Sequence, residues 1–137
     1  MEQQETQATE QQSPQPQIVT VRDEDFTNLY ANNVHSELSV WDLKVTFGIL
    51  DQSSQPYKIV QHTAINIPWA QVKLSSYFLQ VAIVLHEAQN AKINIPASLI
   101  PPDPLTIESP DVALPPEAKD KLSKIYKDFL ASVSATL

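Results

Sequence analysis

One glycine against eleven prolines restricts this chain more than any other feature. Glycine supplies left-handed backbone and lets a main chain approach a phosphate closely. With Gly48 alone, no GxGxxG turn, P-loop or GxSxG elbow can be built. That argues against most nucleotide-dependent enzymes and most α/β-hydrolases. The prolines cluster. Seven of them, Pro96, Pro101, Pro102, Pro104, Pro110, Pro115 and Pro116, fall within residues 93–116. Such a density predicts an extended, semi-rigid arm.

Charge narrows the partners. The formal net charge is −7 over 137 residues. Nucleic-acid binding draws on basic patches that release counterions from phosphates, and anionic membrane surfaces attract the same kind of patch. No such patch is present, so neither nucleic acid nor a membrane is expected as a partner. The longest uninterrupted apolar run, Val81 to Leu85, is far short of the roughly 20 residues of a spanning helix. The N-terminus lacks the basic and apolar regions of a signal peptide. There is no cysteine, which fits a reducing, cytoplasmic setting. The expectation is a cytoplasmic protein.

Periodicity then divides the chain. Residues 1–17 are rich in Gln, Glu and Pro and read as a disordered tail. Residues 18–95 read as an α+β domain. Ile18 to Val21 suit a short leading strand, followed by an acidic turn at Asp23, Glu24 and Asp25. Over residues 30–40, Tyr30, Val34, Leu38 and Val40 share one parity, and Asn33, His35, Glu37 and Ser39 the other. Leu43, Val45, Phe47 and Ile49 alternate with Lys44 and Thr46. Two half-buried strands joined by a hairpin follow. Residues 58–67 carry apolar side chains on both parities, which suits a central strand.

Pro68 opens a helix running to residue 89. Val72, Leu79, Ile83 and His86 make one stripe, and Leu74, Phe78, Val81 and Leu85 a second, taken as neighbouring. One sheet needs only one stripe. The surplus predicts self-association, as a dimer or higher homo-oligomer. Residues 96–116 form the arm. Residues 117–137 form an amphipathic helix with Leu122, Ile125, Tyr126, Phe129, Leu130 and Val133 on its apolar side. The fold class expected is α+β: a small antiparallel sheet of three or four strands, a long helix across it, and a C-terminal helix on a proline-rich arm.

Candidate chemistry is thin. His35, His62 and His86 could in principle form an open zinc site, but no HExxH or CxxC spacing supports one. His86 and Glu87 are adjacent on a helix and so do not face each other as an acid–base pair. Asp23, Glu24 and Asp25 lack the alternation of a calcium loop. No catalytic, cofactor-binding or metal-binding residue is assigned, and no cofactor is expected. Gly48 inside a strand reads as a bulge or as a point where another backbone passes closely. Asn32, polar on the apolar parity, is expected to bond backbone at the sheet edge or across a subunit boundary. With Trp41, Phe78, Val81, Leu85, Ile125, Phe129 and Leu130 it makes up the expected oligomer or partner interface.

Tyr30-Ala31-Asn32, then Val34, a strand ending in Phe47-Gly48, and a Pro-initiated helix with Lys73-Leu74 near its start and His86-Glu87 at its end form a pattern. Over residues 28–95 it resembles the bacterial domain-of-unknown-function family three-four-six-seven. The chain departs from that family in the Val72 before Lys73 and in lacking a second Phe-Gly after the helix. The resemblance implies the fold and carries no activity with it. The layout is also similar, at fold level and without a shared motif, to SecB-type export chaperones. The leading expectation is a non-enzymatic, homo-oligomeric scaffold or regulatory protein, with the arm and final helix reaching a protein partner. A holding chaperone for unfolded clients is the alternative, and a histidine-based metal protein a third.

Overall fold

A computed structural model describes residues 14–106 and 113–133. Residues 1–13 of the expected tail, 107–112 of the arm and 134–137 of the last helix lie outside the described residues. The element order is β1 (Asn33–Leu38), β2 (Asp42–Asp51), β3 (Lys58–Pro68), α1 (Trp69–Gln89), a short 3-10 turn at Ala97–Leu99, and α2 (Pro116–Val133). The sheet is antiparallel and three-stranded in the order β1-β2-β3. With the long helix after it and the C-terminal helix, it makes a small α+β fold.

Three expectations change here. Residues 18–21 are in no strand, although Ile18, Val19 and Val21 have strong β propensity. Propensity needs a partner edge, and none is paired to this segment. The acidic turn after it is present: the Phe26 amide donates to the Asp23 carbonyl at 3.1 Å, and the Asp25 amide to Asp23 Oδ1 at 2.9 Å. Second, β3 is an edge strand; β2 is the central one. Third, the first strand begins at Asn33, leaving Tyr30, Ala31 and Asn32 in the approach to the sheet.

Short contacts fix the register. Ser39 and Asp42 close the hairpin, and Glu37 pairs with Lys44 at 3.1 Å. Gly48 lies against Val60, and Asn66 reaches Asp42. Directly opposed residues share a face of the pleat. Val34 and Leu38 therefore share a face with Leu43, Val45, Phe47 and Ile49 of β2 and with Ile59, Ile65 and Ile67 of β3. His35, Glu37, Lys44, Thr46 and His62 occupy the other face. On β1 and β2 one face is mainly apolar and the other mainly polar, as their alternation predicts, whereas β3 is mixed, with Val60 and Ala64 on the polar face and Gln61 and Thr63 on the apolar one.

The chain divides into two compact units. The first comprises the described residues of Met1–Ser36 with Val45–Ile65. The second comprises Glu37–Lys44 with the described residues of Asn66–Leu137. In the second, the hairpin tip is tied to the start of α1: the Trp69 indole N–H donates to the Ser39 carbonyl at 3.1 Å, and Asn66 Nδ2 to Asp42 Oδ2 at 3.2 Å. The arm is not a free reaching element within this unit. It carries the turn at Ala97–Leu99, and the Tyr126 hydroxyl of α2 donates to the Pro101 carbonyl at 3.3 Å. Leu122, Tyr126, Phe129 and Leu130 are half-buried and Val133 is buried, so this side of α2 is covered by its own chain. The opposite side carries the ion pairs Lys121–Glu117 and Lys124–Asp128.

The core is very small. Among the described residues, Val133 is the one buried hydrophobic side chain and Thr46 the one buried polar one. Not one residue of α1 is buried. A chain with 42% apolar residues normally keeps most of its large aliphatic and aromatic side chains from water.

Candidate interaction surfaces

Two features collect the residues singled out by sequence. The first lies in the first unit, where the approach to β1 meets the sheet. The Asn32 amide donates to the Gly48 carbonyl at 3.1 Å, and Asn32 Oδ1 accepts from the Leu50 amide at 2.8 Å. Just outside the regular strand, Asn32 thus makes one bond with its main chain and a second with its side chain. The first alternative expected for Asn32, a backbone bond at the sheet edge, is the one found.

Gly48 permits the close packing here. A Cβ on residue 48 would stand 2.7 Å from the Val60 carbonyl oxygen and 3.1 Å from Gln61 Cα. The β3 backbone passes where a side chain would be. Its φ is not positive, so the need is space rather than a left-handed conformation. Beside it, His62 Nε2 lies 3.0 Å from the Tyr30 carbonyl and Nδ1 lies 2.9 Å from Thr63 Oγ1. A neutral ring with its proton on Nε2 satisfies both contacts: it donates to the carbonyl and accepts from the hydroxyl. Sequence reasoning missed this role, because nothing in the pattern links Tyr30 to His62. Leu29, Ala31, Phe47, His62, Thr63 and Ile65 help to line an open hollow of about 390 Å³.

The other histidines do not join it. His35 is exposed on β1. His86 and Glu87 finish α1: the His86 carbonyl accepts from the Asn90 amide at 2.9 Å and from Asn90 Nδ2 at 3.0 Å, while Glu87 Oε1 accepts from the Ile93 amide at 3.0 Å. These bonds satisfy groups at and just beyond a helix C-terminus. Among the described residues, no three His, Cys, Asp or Glu side chains gather closely enough to hold a metal ion. One carboxyl stands out electrostatically. The Ser53 hydroxyl, and then the Ser53 amide, hold Asp51 below the usual carboxylate range.

The second feature is α1 itself. At about 100° per residue, its two apolar stripes lie on opposite sides of the helix rather than side by side. Leu74, Tyr77, Phe78, Val81, Val84 and Leu85 define one side, each between 37% and 66% exposed. Tyr77 and Phe78 meet edge to face, with ring centroids 5.4 Å apart. Val72, Leu79, Ile83 and His86 define the other side, which is open as well, with Leu79 and Ile83 both exposed. Phe78, Val81 and Leu85 therefore sit together on an open face. Trp41, at the hairpin tip, is 84% exposed and apart from them along the chain. Its turn has no glycine and no positive φ. The turn is held instead by Ser39 Oγ, which accepts from the amides of Trp41 at 3.2 Å and Asp42 at 3.0 Å. On α2, Ile125 is exposed, whereas Phe129 and Leu130 are half-buried against their own chain.

No helix among the described residues is long and apolar enough to cross a membrane. No protein-family model, curated protein or solved structure matches the chain.

Proposed function

We propose that this chain is a non-enzymatic interaction protein that works as a cytoplasmic homo-oligomer and scaffolds or regulates another protein. The observation that carries this reading is α1, a 21-residue helix, apolar on two opposite sides, with none of its residues buried. Exposed apolar area of that kind marks an interface. The titratable groups support the non-enzymatic part. The side chains of His62 and Glu87 are engaged in contacts with main chain that hold the chain together, and the asparagine and glycine of the sequence signature bond to each other. Membership of the bacterial family three-four-six-seven rests on that same signature. Two differently tagged copies expressed together test the reading. Capture of one through the other supports it, and mixed tags that never co-purify at micromolar concentration contradict it.

A holding chaperone is the second reading. It is favoured by the sheet, whose Val34, Leu38, Ile49, Ile59 and Ile65 are exposed on its apolar face. A chaperone suppresses aggregation of unrelated unfolded proteins at stoichiometric ratios. A scaffold leaves them unaffected.

A further inference from the structure

The geometry points to the Leu74, Tyr77, Val81 and Val84 side of α1 pairing with the same side of a second copy, antiparallel, with the twofold axis near Gln80. This rests on the homo-oligomer reading above and specifies its surface and orientation.

The helix carries a heptad in which Leu74, Tyr77, Val81 and Val84 occupy the a and d positions. Phe78 and Leu85 fall on the e flank and widen the apolar seam. The g flank carries Lys73, Gln80 and Glu87 in succession. Lys73 and Glu87 are the only Asp, Glu, Lys or Arg side chains of the helix. They stand at equal sequence distance on either side of Gln80.

That spacing selects an orientation. In an antiparallel pair the g flanks of the two helices face each other. With core layers formed by Leu74 against the partner's Val84 and Tyr77 against the partner's Val81, Lys73 lies beside the partner's Glu87. Gln80 then lies beside the partner's Gln80, and Phe78 beside the partner's Phe78. Two opposite-charge pairs flank the seam, one at each end. In a parallel pair each g residue faces an e residue of the other helix. Lys73 would then face Phe78, and Glu87 the position of Lys92, which lies past the end of α1 at Gln89 and off its helical register, so no charge pair forms between the helices themselves.

Both charges are free to do this. Lys73 makes no ion pair among the described residues. The Glu87 side chain accepts from the Ile93 amide through Oε1. The area is adequate as well. At side-chain areas on the order of 200 Å², the exposed fractions of the six apolar residues amount to roughly 650 Å² per copy. Two copies would bury about 1,300 Å², within the range of specific, stable interfaces.

The chain has no cysteine, so Gln80→Cys introduces a single reactive thiol. In the full chain, Q80C is expected to crosslink to itself through a short bis-maleimide. Ser76→Cys, on the outer side of the same helix, is expected not to. Charge reversal gives an independent test by sedimentation. Each of K73E and E87K alone places like charges at both ends and weakens the dimer roughly two- to thirty-fold, from two exposed pairs. K73E/E87K together restore the attraction and the dimer. A wild-type dimer in which Q80C fails to crosslink, or in which the double variant is as weak as the singles, overturns the antiparallel pairing while leaving self-association standing. A monomeric wild type overturns both. Circular dichroism of each variant confirms that α1 is intact.

Discussion

Gly48→Ala is the sharpest test of how the sheet is built. The added methyl would lie 2.7 Å from the Val60 carbonyl oxygen and 3.1 Å from both Val60 C and Gln61 Cα. All three obstacles are main-chain atoms of β3, so no side-chain rotation relieves the clash. The strands must separate or slide, which disturbs the β2–β3 ladder on either side. Overpacking of this kind costs about 1–3 kcal/mol. Replacing glycine also removes freedom from the unfolded chain, which offsets roughly 0.4–1 kcal/mol. With mid-range values of each, the net expectation is a loss of about 1.3 kcal/mol. For a domain of this size that lowers the melting temperature by roughly 4–10 °C. Urea unfolding followed by circular dichroism measures the loss, with variants compared at equal protein concentration because association shifts stability. Ser54→Ala, in the exposed loop between β2 and β3, serves as the control and should stay within about 0.5 kcal/mol of wild type. A Gly48→Ala protein as stable as wild type would refute the close approach of β3.

Other expectations follow from single contacts. Asn32→Ala leaves the Leu50 amide without its side-chain acceptor and should cost about 1 kcal/mol, whereas Asn32→Asp keeps an acceptor and should cost less. Both are read by the same urea titration, and equal losses would contradict the role given to Oδ1. Trp69→Phe removes the indole N–H that donates to the Ser39 carbonyl. Amide exchange in the 39–42 turn should accelerate, and unchanged protection would show that the turn does not depend on it. The Asp51 carboxyl, depressed chiefly by the Ser53 hydroxyl, should titrate below an ordinary aspartate in a carbon-detected NMR titration. Its folded value lies under its unfolded value, so its contribution is present above the unfolded pKa and is lost as pH falls through the folded one. Ser53→Ala should move the titration up towards the ordinary range, and an unmoved midpoint would contradict the assignment.

Much of this was legible in the sequence, for identifiable reasons. Alternation at Leu43, Val45, Phe47 and Ile49 gave the faces of β2, because the pleat has a period of two residues. Asn32 betrayed itself by interrupting an apolar parity, and Gly48 by being a glycine inside a strand. Strand order was not legible. The mixed pattern of β3 suggests a central strand, but hydrogen-bonded neighbours are set by connection and space. Ile18 to Val21 has the residues of a strand and no edge to pair with. The link from Tyr30 to His62 spans 32 positions and leaves no periodic trace. The stripes of α1 were visible residue by residue. Only their angular positions show that they face opposite ways, and that the Lys73, Gln80 and Glu87 series borders one of them.

The covered side of α2 and the open side of α1 also separate residues that composition treats alike. Phe129 and Leu130 are half-buried against their own chain, while Phe78 and Leu85 are left exposed. What covers the second group decides whether the chain self-associates. Sedimentation equilibrium of the full chain across micromolar concentrations measures it directly. A mass of at least twice 15.3 kDa is expected, reduced towards 15.3 kDa by the paired substitution of Phe78 and Val84 with aspartate. A wild-type protein that sediments as a 15.3 kDa monomer throughout that range would contradict self-association.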